Sequence, residues 1–334
     1  AVIIGSGIAG LATAQALASY CERIIILERD RDMDAFGPRK GVPQSYHAHG
    51  LLRGGELALN LLFPGLSDEL IAQGATCIDF SRDVHWFHAG RWKLRHTSGL
   101  PGMLQSRPLL EGTIRRRVAD LSNVEFCYGM TVEGLSLDPE YNRVEAVLVK
   151  DLTDHSAISS IPADLVVDTS GRGSKMPEWL AGVSYPTPDE SQLEINLFYS
   201  SRVFQAPANY NPNWRIMLVS PQAPDVTRIG VILRVEGDQY VVSLGGYNGD
   251  MTPTRNEDFI EYARKLADPA LYEVLTQLIP VSDVKMYRVP RTTRRHYEKL
   301  AQMPGGVMVL GDSMCAFDPV FGQGMSVAAL EAEA

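Results

Sequence analysis

The sequence predicts an α/β fold in which a parallel sheet is interrupted by an inserted antiparallel sheet, and three observations predict it. The chain opens on an apolar strand, a glycine-rich turn and a helix, Val2-Ile3-Ile4-Gly5-Ser6-Gly7-Ile8-Ala9-Gly10. Such a unit buries its strand in a parallel sheet. Short apolar runs of the same kind return far along the chain, at Leu165–Asp168 and Val307–Leu310. Between them, Glu194–Tyr199, Trp214–Ser220, Arg228–Val235 and Gln239–Leu244 follow one another with no helix between, the pattern of an antiparallel sheet.

Each element has a local reason. Gly5 permits the tight turn, Gly7 lets backbone approach a pyrophosphate, and Gly10 lets the helix lie close on the strand. Ala12, Ala14, Ala16 and Ala18 keep that helix thin. Residues Ala1 to Tyr20 carry no charge, but three glycines at turn spacing, with Ser6, Thr13 and Gln15, argue against a leader or membrane span. The second strand, Arg23–Leu27, ends at Glu28, whose carboxylate can accept both ribose hydroxyls of an adenosine. The free 2′-hydroxyl this implies points to FAD or NAD rather than NADP.

A polar loop follows from Pro38 to His49, with Lys40 solvated, then a helix carrying Leu51, Leu52, Leu57, Leu61 and Leu62. Val84–Phe87 and Trp92–Leu94 read as a hairpin around His88–Arg91. Ser106-Arg107-Pro108 opens a helix with proline in its first turn, and Arg115–Arg117 are expected on its solvated face. Val124–Tyr128, Thr131–Leu137, Arg143–Lys150 and Ser156–Ile161 are strand-like, and Leu165–Asp168 leads into Thr169-Ser170-Gly171-Arg172. Gly237-Asp238 marks a hairpin. Asn256 to Gln277 reads as helical, with Phe259, Ala263, Leu266 and Leu271 on spaced turns. The strand at Val307 then returns the chain to Gly311-Asp312. The expected division is a discontinuous nucleotide domain, 1–80, 100–180 and 287–334, and a substrate domain, 81–99 and 181–286.

Composition narrows the class. With 31 basic and 40 acidic residues the net charge is −9, which disfavours nucleic acid as a partner. Cys21, Cys77, Cys127 and Cys315 have no CxxC spacing, so no disulfide framework is expected and a reducing cytoplasm is the expected home. The chain starts in a strand and stops in a helix, with the expectation that both native termini lie outside it. There is no GxSxG elbow, HExxH or Walker loop. His47 and His49 have no third ligand at a usual spacing, so no metal is expected. They are expected to line the passage from cofactor to substrate, or simply to cap the loop.

Taken in order, Gly5-Ser6-Gly7-Ile8-Ala9-Gly10, Asp168-Thr169-Ser170-Gly171-Arg172 and Gly311-Asp312 resemble the three motifs of FAD-dependent monooxygenases of the para-hydroxybenzoate hydroxylase fold, over nearly all 334 residues. Arg39-Lys40-Gly41-Val42-Pro43-Gln44 with His47-Ala48-His49, and Gly311 through Pro319, are similar to bacterial polyether epoxidases and, more distantly, squalene epoxidase. The resemblance implies a Rossmann-like FAD-binding domain of the glutathione-reductase type with an inserted antiparallel-sheet substrate domain. It implies that Gly5, Ser6, Gly7, Ile8, Ala9 and Gly10, with Glu28 and Arg29, hold the adenosine diphosphate. Arg39 and Arg107 join the cofactor site; Asp168 either joins it or, with Arg172, is structural and closes the sheet edge beside the adenosine. Gly311 and Asp312 hold the ribityl chain, Pro319 lies along the flavin ring, and Gly322, Gln323, Gly324 and Met325 present a helix end to the ring's pyrimidine edge. Many members carry Ala-Ala-His after Gly-Asp; this chain has Ser313-Met314-Cys315.

The implied reaction inserts one oxygen atom from O2 into an apolar organic substrate, by epoxidation or hydroxylation of a polyketide or isoprenoid, through a flavin hydroperoxide. No catalytic side chain is required; His47, His49, Pro319 and Gln323 are candidates beside the flavin. No convincing base stands in the inserted segment, which favours alkenes or activated rings. Without a second GxGxxG, electrons are expected from transient NAD(P)H or a partner flavin reductase. Of the alternatives, a flavin-dependent halogenase carries a Trp-x-Trp-x-Ile-Pro segment absent here. An isoprenoid double-bond reductase is indifferent to oxygen, and a non-enzymatic FAD-binding protein does not turn over.

Overall fold

A computed structural model describes residues 1–31, 37, 39, 41–152, 158–222 and 224–334. Pro38 and Lys40 of the expected loop, and Ser156 at the start of the expected strand, lie outside the described residues. Five strands pair in parallel in the order Val307–Val309, Val166–Asp168, Val2–Ile4, Ile24–Glu28 and Val124–Tyr128. The three central strands are buried along their whole length, as a parallel sheet covered on both faces requires. Alternation divides their side chains. Ile3, Ile24, Ile26 and Val167 join the core beneath the helices Ile8–Leu17, Arg53–Leu62, Arg107–Ala119 and Gly324–Glu333. Val2, Ile4, Ile25, Leu27 and Val166 pack on the other face against Val132, Leu135, Val147 and Val149. Those residues belong to a three-stranded antiparallel sheet formed by Met130–Asp138, Arg143–Asp151 and Ser159–Pro162.

The first helix starts as the glycines dictate. A Cβ on Gly10 would lie 2.0 Å from the Gly5 carbonyl oxygen, and one on Gly5, whose φ is +99°, would lie 2.8 Å from that of Thr169. A Cβ on Gly7 meets nothing within 4 Å. Gly5 and Gly10 thus serve packing, while Gly7 faces open space.

The second large sheet has nine strands. Its main path runs Cys315–Ala316, Lys285–Arg295, Glu190–Gln205, Gln239–Gly246, Arg228–Arg234, Ile216–Val219, Val84–His88 and Arg91–Trp92. The hairpin read near His88 joins it through parallel pairing of Val84–Phe87 with Ile216–Val219. One face packs Phe204, Tyr240, Val242 and Leu244 against Phe259, Leu271 and Leu275. Those last three stand on two short helices, Phe259–Ala263 and Ala270–Leu275, where the sequence predicts one. Pro269 is the reason: it has no N–H to continue a helix and disfavours α geometry at Asp268. The Asp268 carboxylate instead accepts the Ala270 amide at 2.9 Å. The long strand Lys285–Arg295 and the pair Thr76–Asp79 with Pro101–Leu104 were not expected. No helix among the described residues is long and apolar enough to cross a membrane.

Gly10→Ala forces the new methyl onto the Gly5 carbonyl, so the apoprotein should lose at least the ~1–3 kcal/mol typical of overpacking. Its urea midpoint checks this, and an unchanged midpoint would show that helix and strand can separate freely.

Candidate active site

The parallel sheet and the nine-stranded sheet together border a cavity of about 610 Å³. Its polar wall carries Gly5–Ala9, Glu28, Arg29, Arg39, Arg107, Asp312 and the segment Phe317–Met325. Its apolar wall carries Leu197, Leu218, Ile229, Val231, Leu233 and Val289 from the nine-stranded sheet, with Tyr199 and Tyr287. His47, Ala48, His49 and Gly50 also line it.

Two ten-residue helices begin at this cavity, Ile8–Leu17 and Gly324–Glu333, and neither has a side-chain cap. Their amino ends present free N–H groups and a partial positive charge to whatever lies there. Each follows from its turn: Gly7 is extended before the first helix, and Gly322, at φ +63°, reverses the chain before the second.

Beneath the first turn lies a buried charge network. Arg39 bonds Glu28 at 3.0 Å and Glu111 at 2.6 Å, and Arg115 and Arg107 reach Glu111 at 2.8 and 3.3 Å. Arg115 also donates to the Ser6 carbonyl at 2.9 Å. Burial opposes the Glu111 carboxylate, but Arg107, Arg39 and Arg115 outweigh it and hold its pKa at about 2. The expectation that Arg115 belongs to a solvated face with Arg116 and Arg117 is therefore corrected for Arg115, which is buried. Arg116 and Arg117 pair with Glu69 nearer the surface. Arg107, Glu111 and Arg115 recur every four residues on one helix face, a signal available in the sequence. Glu28 accepts Ser6 N at 3.1 Å, Ser6 Oγ at 2.6 Å and Arg39 through Oε2, and the Asp30 amide at 3.0 Å through Oε1. Burial works against this carboxylate too, and Arg39 with the Ser6 donors holds it below its ordinary range. Oε1 keeps room for a further donor.

Three expected cofactor residues stand behind the wall rather than on it. Gly10 packs on Gly5. Asp168 is fully buried, accepting Ser170 N at 2.9 Å, Ser170 Oγ at 2.6 Å and Ser174 Oγ at 2.5 Å. Gly311, at φ +64°, donates its N–H to Glu331 at 2.6 Å. They shape the turns that carry the others. Ser313, where many relatives of the motif have alanine, is buried, and its hydroxyl oxygen accepts the Gly171 amide at 2.8 Å, tying the second motif to the third.

Asp312 lies on the wall with Arg172 Nε at 3.2 Å. Burial pushes its carboxyl up, against the pull of Arg172 and Arg107. Pro319 and Gln323 line the same stretch, and Asp318 takes a hydrogen bond at 2.9 Å from Tyr247, which directly follows the strand Gln239–Gly246. Burial lowers His47 to about 4 and, with Arg107 adding to it, His49 to about 3, so both are neutral near pH 7.

The residues present fit an adenosine dinucleotide. Open space at Gly7, an uncapped helix end and a paired carboxylate with acceptor capacity at Glu28 are what a pyrophosphate and a ribose diol require. A family model described as an FAD binding domain matches residues 1–333. The chain belongs to this FAD-binding family. FAD is its cofactor, and flavin-dependent oxidoreduction is its class of chemistry. The chain is 31% identical over 343 residues to Protein Rv3254 of Mycobacterium tuberculosis (strain ATCC 25618 / H37Rv), covering 99% of this chain and 71% of that protein. Among solved structures it resembles the flavin-dependent brominase Bmp2, at 17% identity, TM-score 0.73, 99% of this chain and 76% of that one. It also resembles p-nitrophenol 4-monooxygenase PnpA from Pseudomonas putida DLL-E4, at 21% identity, TM-score 0.70, 99% of this chain and 77% of that one. The FAD-binding family thus shares its fold with both monooxygenases and halogenases.

Two outcomes are expected here. Gly7→Ala, at a φ of −76° that alanine adopts freely, should leave the urea midpoint alone yet weaken FAD by ~1.5–3 kcal/mol, the scale of hydrogen bonds to a charged group; equal affinity in a titration would move the pyrophosphate elsewhere. Glu111→Gln should destabilise the protein by about 3–5 kcal/mol through unpaired buried arginines. Because the Glu111 pKa is depressed to about 2, its contribution is complete above about 4.5 and is lost as pH falls towards 2. Stability measured across that window should fall in the wild type and vary less in the variant.

Proposed function

We propose that the protein is an FAD-dependent monooxygenase that places one oxygen atom of O2 on an apolar organic substrate, by epoxidation or hydroxylation. One observation carries the reading: a single cavity joins a dinucleotide cradle to a wall of aliphatic side chains. FAD, when bound and reduced, supplies the activation of oxygen. Residues 1–80, 100–180 and the chain after Arg295 would hold it, and 81–99 with 181–295 would hold the substrate: the boundary expected at 287 moves because Lys285–Arg295 pairs with Glu190–Gln205 in the nine-stranded sheet.

The chain's own residues do the rest. The amino end at Gly324 stabilises negative charge beside it. Asp312, fixed by Arg172, offers a carboxylate to a hydroxyl-bearing chain. Leu197, Ile229, Val231 and Val289 exclude water from the reacting carbon. Among the described residues the apolar wall carries no carboxylate to act as a base, in keeping with an alkene or an already activated ring. Electrons come from NAD(P)H or from a partner flavin reductase.

The test is purified protein with FAD, ¹⁸O₂, a reductant and a panel of polyenes and aromatics, read by mass spectrometry. Oxygen uptake without any labelled product across the panel would leave an oxidase or reductase. Asp312→Ala should keep most of its FAD through the adenosine end while the ring end shifts. A displacement of about 1 Å can cost ~100-fold in rate, so the ratio of oxygenated product to hydrogen peroxide should fall at saturating FAD. An unaltered ratio would remove Asp312 from the cofactor site.

A further inference from the structure

We infer that the Nε2–H of His47 is a fixed donor in the substrate wall, selecting apolar molecules that carry a hydrogen-bond acceptor oxygen such as a carbonyl. The inference rests on the monooxygenase reading for which wall faces the substrate.

The argument is one of proton placement. Ala48 N donates to Ser243 Oγ at 2.9 Å, Ser243 Oγ is hydrogen-bonded to Ser201 Oγ, and Ser201 Oγ lies 2.6 Å from His47 Nδ1. The chain can run two ways. If Nδ1 donates to Ser201, and Ser201 to Ser243, the Ser243 proton has no acceptor among the described residues. If Ser243 donates to Ser201, and Ser201 to Nδ1, every hydroxyl proton is placed and the backbone amide starts the relay. Each direction makes three hydrogen bonds and leaves one polar hydrogen towards the cavity, Ser243 Oγ–H in the first and His47 Nε2–H in the second. The first also leaves the Nε2 lone pair unpaired, so the second, with one polar group fewer unsatisfied, is favoured. Nδ1 is then an acceptor, and the ring proton sits on Nε2.

Nε2 has no hydrogen-bond partner among the described residues and opens on the cavity. The ring cannot readily turn away: Tyr199 packs edge-on at 4.4 Å and Tyr287 stands at 6.3 Å. Burial keeps the imidazole neutral, so it offers one directed donor and no charge. The same cavity is lined by Leu197, Ile229, Val231 and Val289. A substrate lacking an acceptor leaves this donor unpaired, and one with an acceptor satisfies it.

The test uses FAD-loaded protein and two probes of like shape, 2-acetonaphthone and 2-isopropenylnaphthalene, with dissociation constants from calorimetry. Wild type should prefer the ketone about tenfold, the scale of one buried neutral hydrogen bond. His47→Phe should bring that ratio to about one, Ser201→Ala should reduce it, and Tyr199→Phe or Tyr287→Phe should leave it within about twofold. In ¹⁵N-labelled wild type, His47 should show the Nε2–H tautomer, and Ser201→Ala should admit the Nδ1–H form. A wild-type ratio of one, a ratio unchanged by His47→Phe or abolished by either tyrosine variant, or an Nδ1–H tautomer in wild type would overturn the inference. Flavin absorbance and ¹⁸O incorporation are read separately, so a protein that binds the ketone selectively but oxygenates nothing would end the monooxygenase reading alone.

Discussion

The fold turns on how two carboxylates and two guanidinium groups, those of Arg39 and Arg115, are buried under one glycine turn, with half-buried Arg107 at the edge of the network. Glu28 ends the second strand of the parallel sheet, Glu111 sits on the helix Arg107–Ala119, and Arg39 bonds both. Isolated, each of these charges would be prohibitively costly to desolvate. Together they fix the distance from strand to helix, because a guanidinium fork reaches two carboxylates in only a few geometries. The Ser6 carbonyl accepts from both Arg39 and Arg115, at 3.2 and 2.9 Å, so the turn itself is held by the network. The amino end of the first helix is therefore aimed by charges that lie behind it. Such a network is weak evidence for net stability; its effect is on where the turn points.

A second constraint joins the sheets. Cys315 and Ala316 form the edge strand of the nine-stranded sheet, opposite Arg294 and Thr293, yet they directly follow the turn Gly311–Ser313 at the end of a parallel strand. Arg295 donates to the Ser313 carbonyl at 2.8 Å and pairs with Glu190 at 2.9 Å. With Tyr247 on Asp318, the segment from Asp312 to Met325 is clamped from both sheets. The cavity exists because one stretch of chain must satisfy both.

What was legible in the sequence is what depends on neighbours along the chain. The roles of Gly5 and Gly10 follow from local backbone geometry, and the alternation that divides Ile3 from Ile4 follows from the pleat. The break at Pro269 was equally local and was passed over because the apolar spacing runs across it. Lys285–Arg295 was missed for a different reason: much of its side-chain surface is exposed and Arg288, Arg291 and Arg294 mask any apolar alternation. The burial of Arg115 rests on Glu111, four positions before it on the same helix face, and on the Ser6 carbonyl, far off in the sequence. The first contact was legible and the second was not, and three successive arginines resemble a solvated face until one acquires a buried partner. The His47–Ser201–Ser243 chain joins residues 154 and 42 positions apart and leaves no pattern in the sequence at all.

The two walls of the cavity bury polar groups by opposite means, and the difference suits the chemistry proposed. Under the nucleotide cradle the groups are charged and mutually neutralising, which can anchor a dianionic pyrophosphate without moving. Under the apolar wall they are neutral: an imidazole held uncharged by burial, two hydroxyls and a backbone amide. A charge on that wall would draw water with it, and water is what an oxygen-transferring site must keep out. A neutral relay gives direction without hydration. Because each hydroxyl both accepts and donates, its members polarise one another in the same sense, so the donor presented by His47 is strengthened by groups that never reach the cavity as charges. Polar specificity and a dry pocket, which usually compete, are compatible here because every member of the relay is neutral.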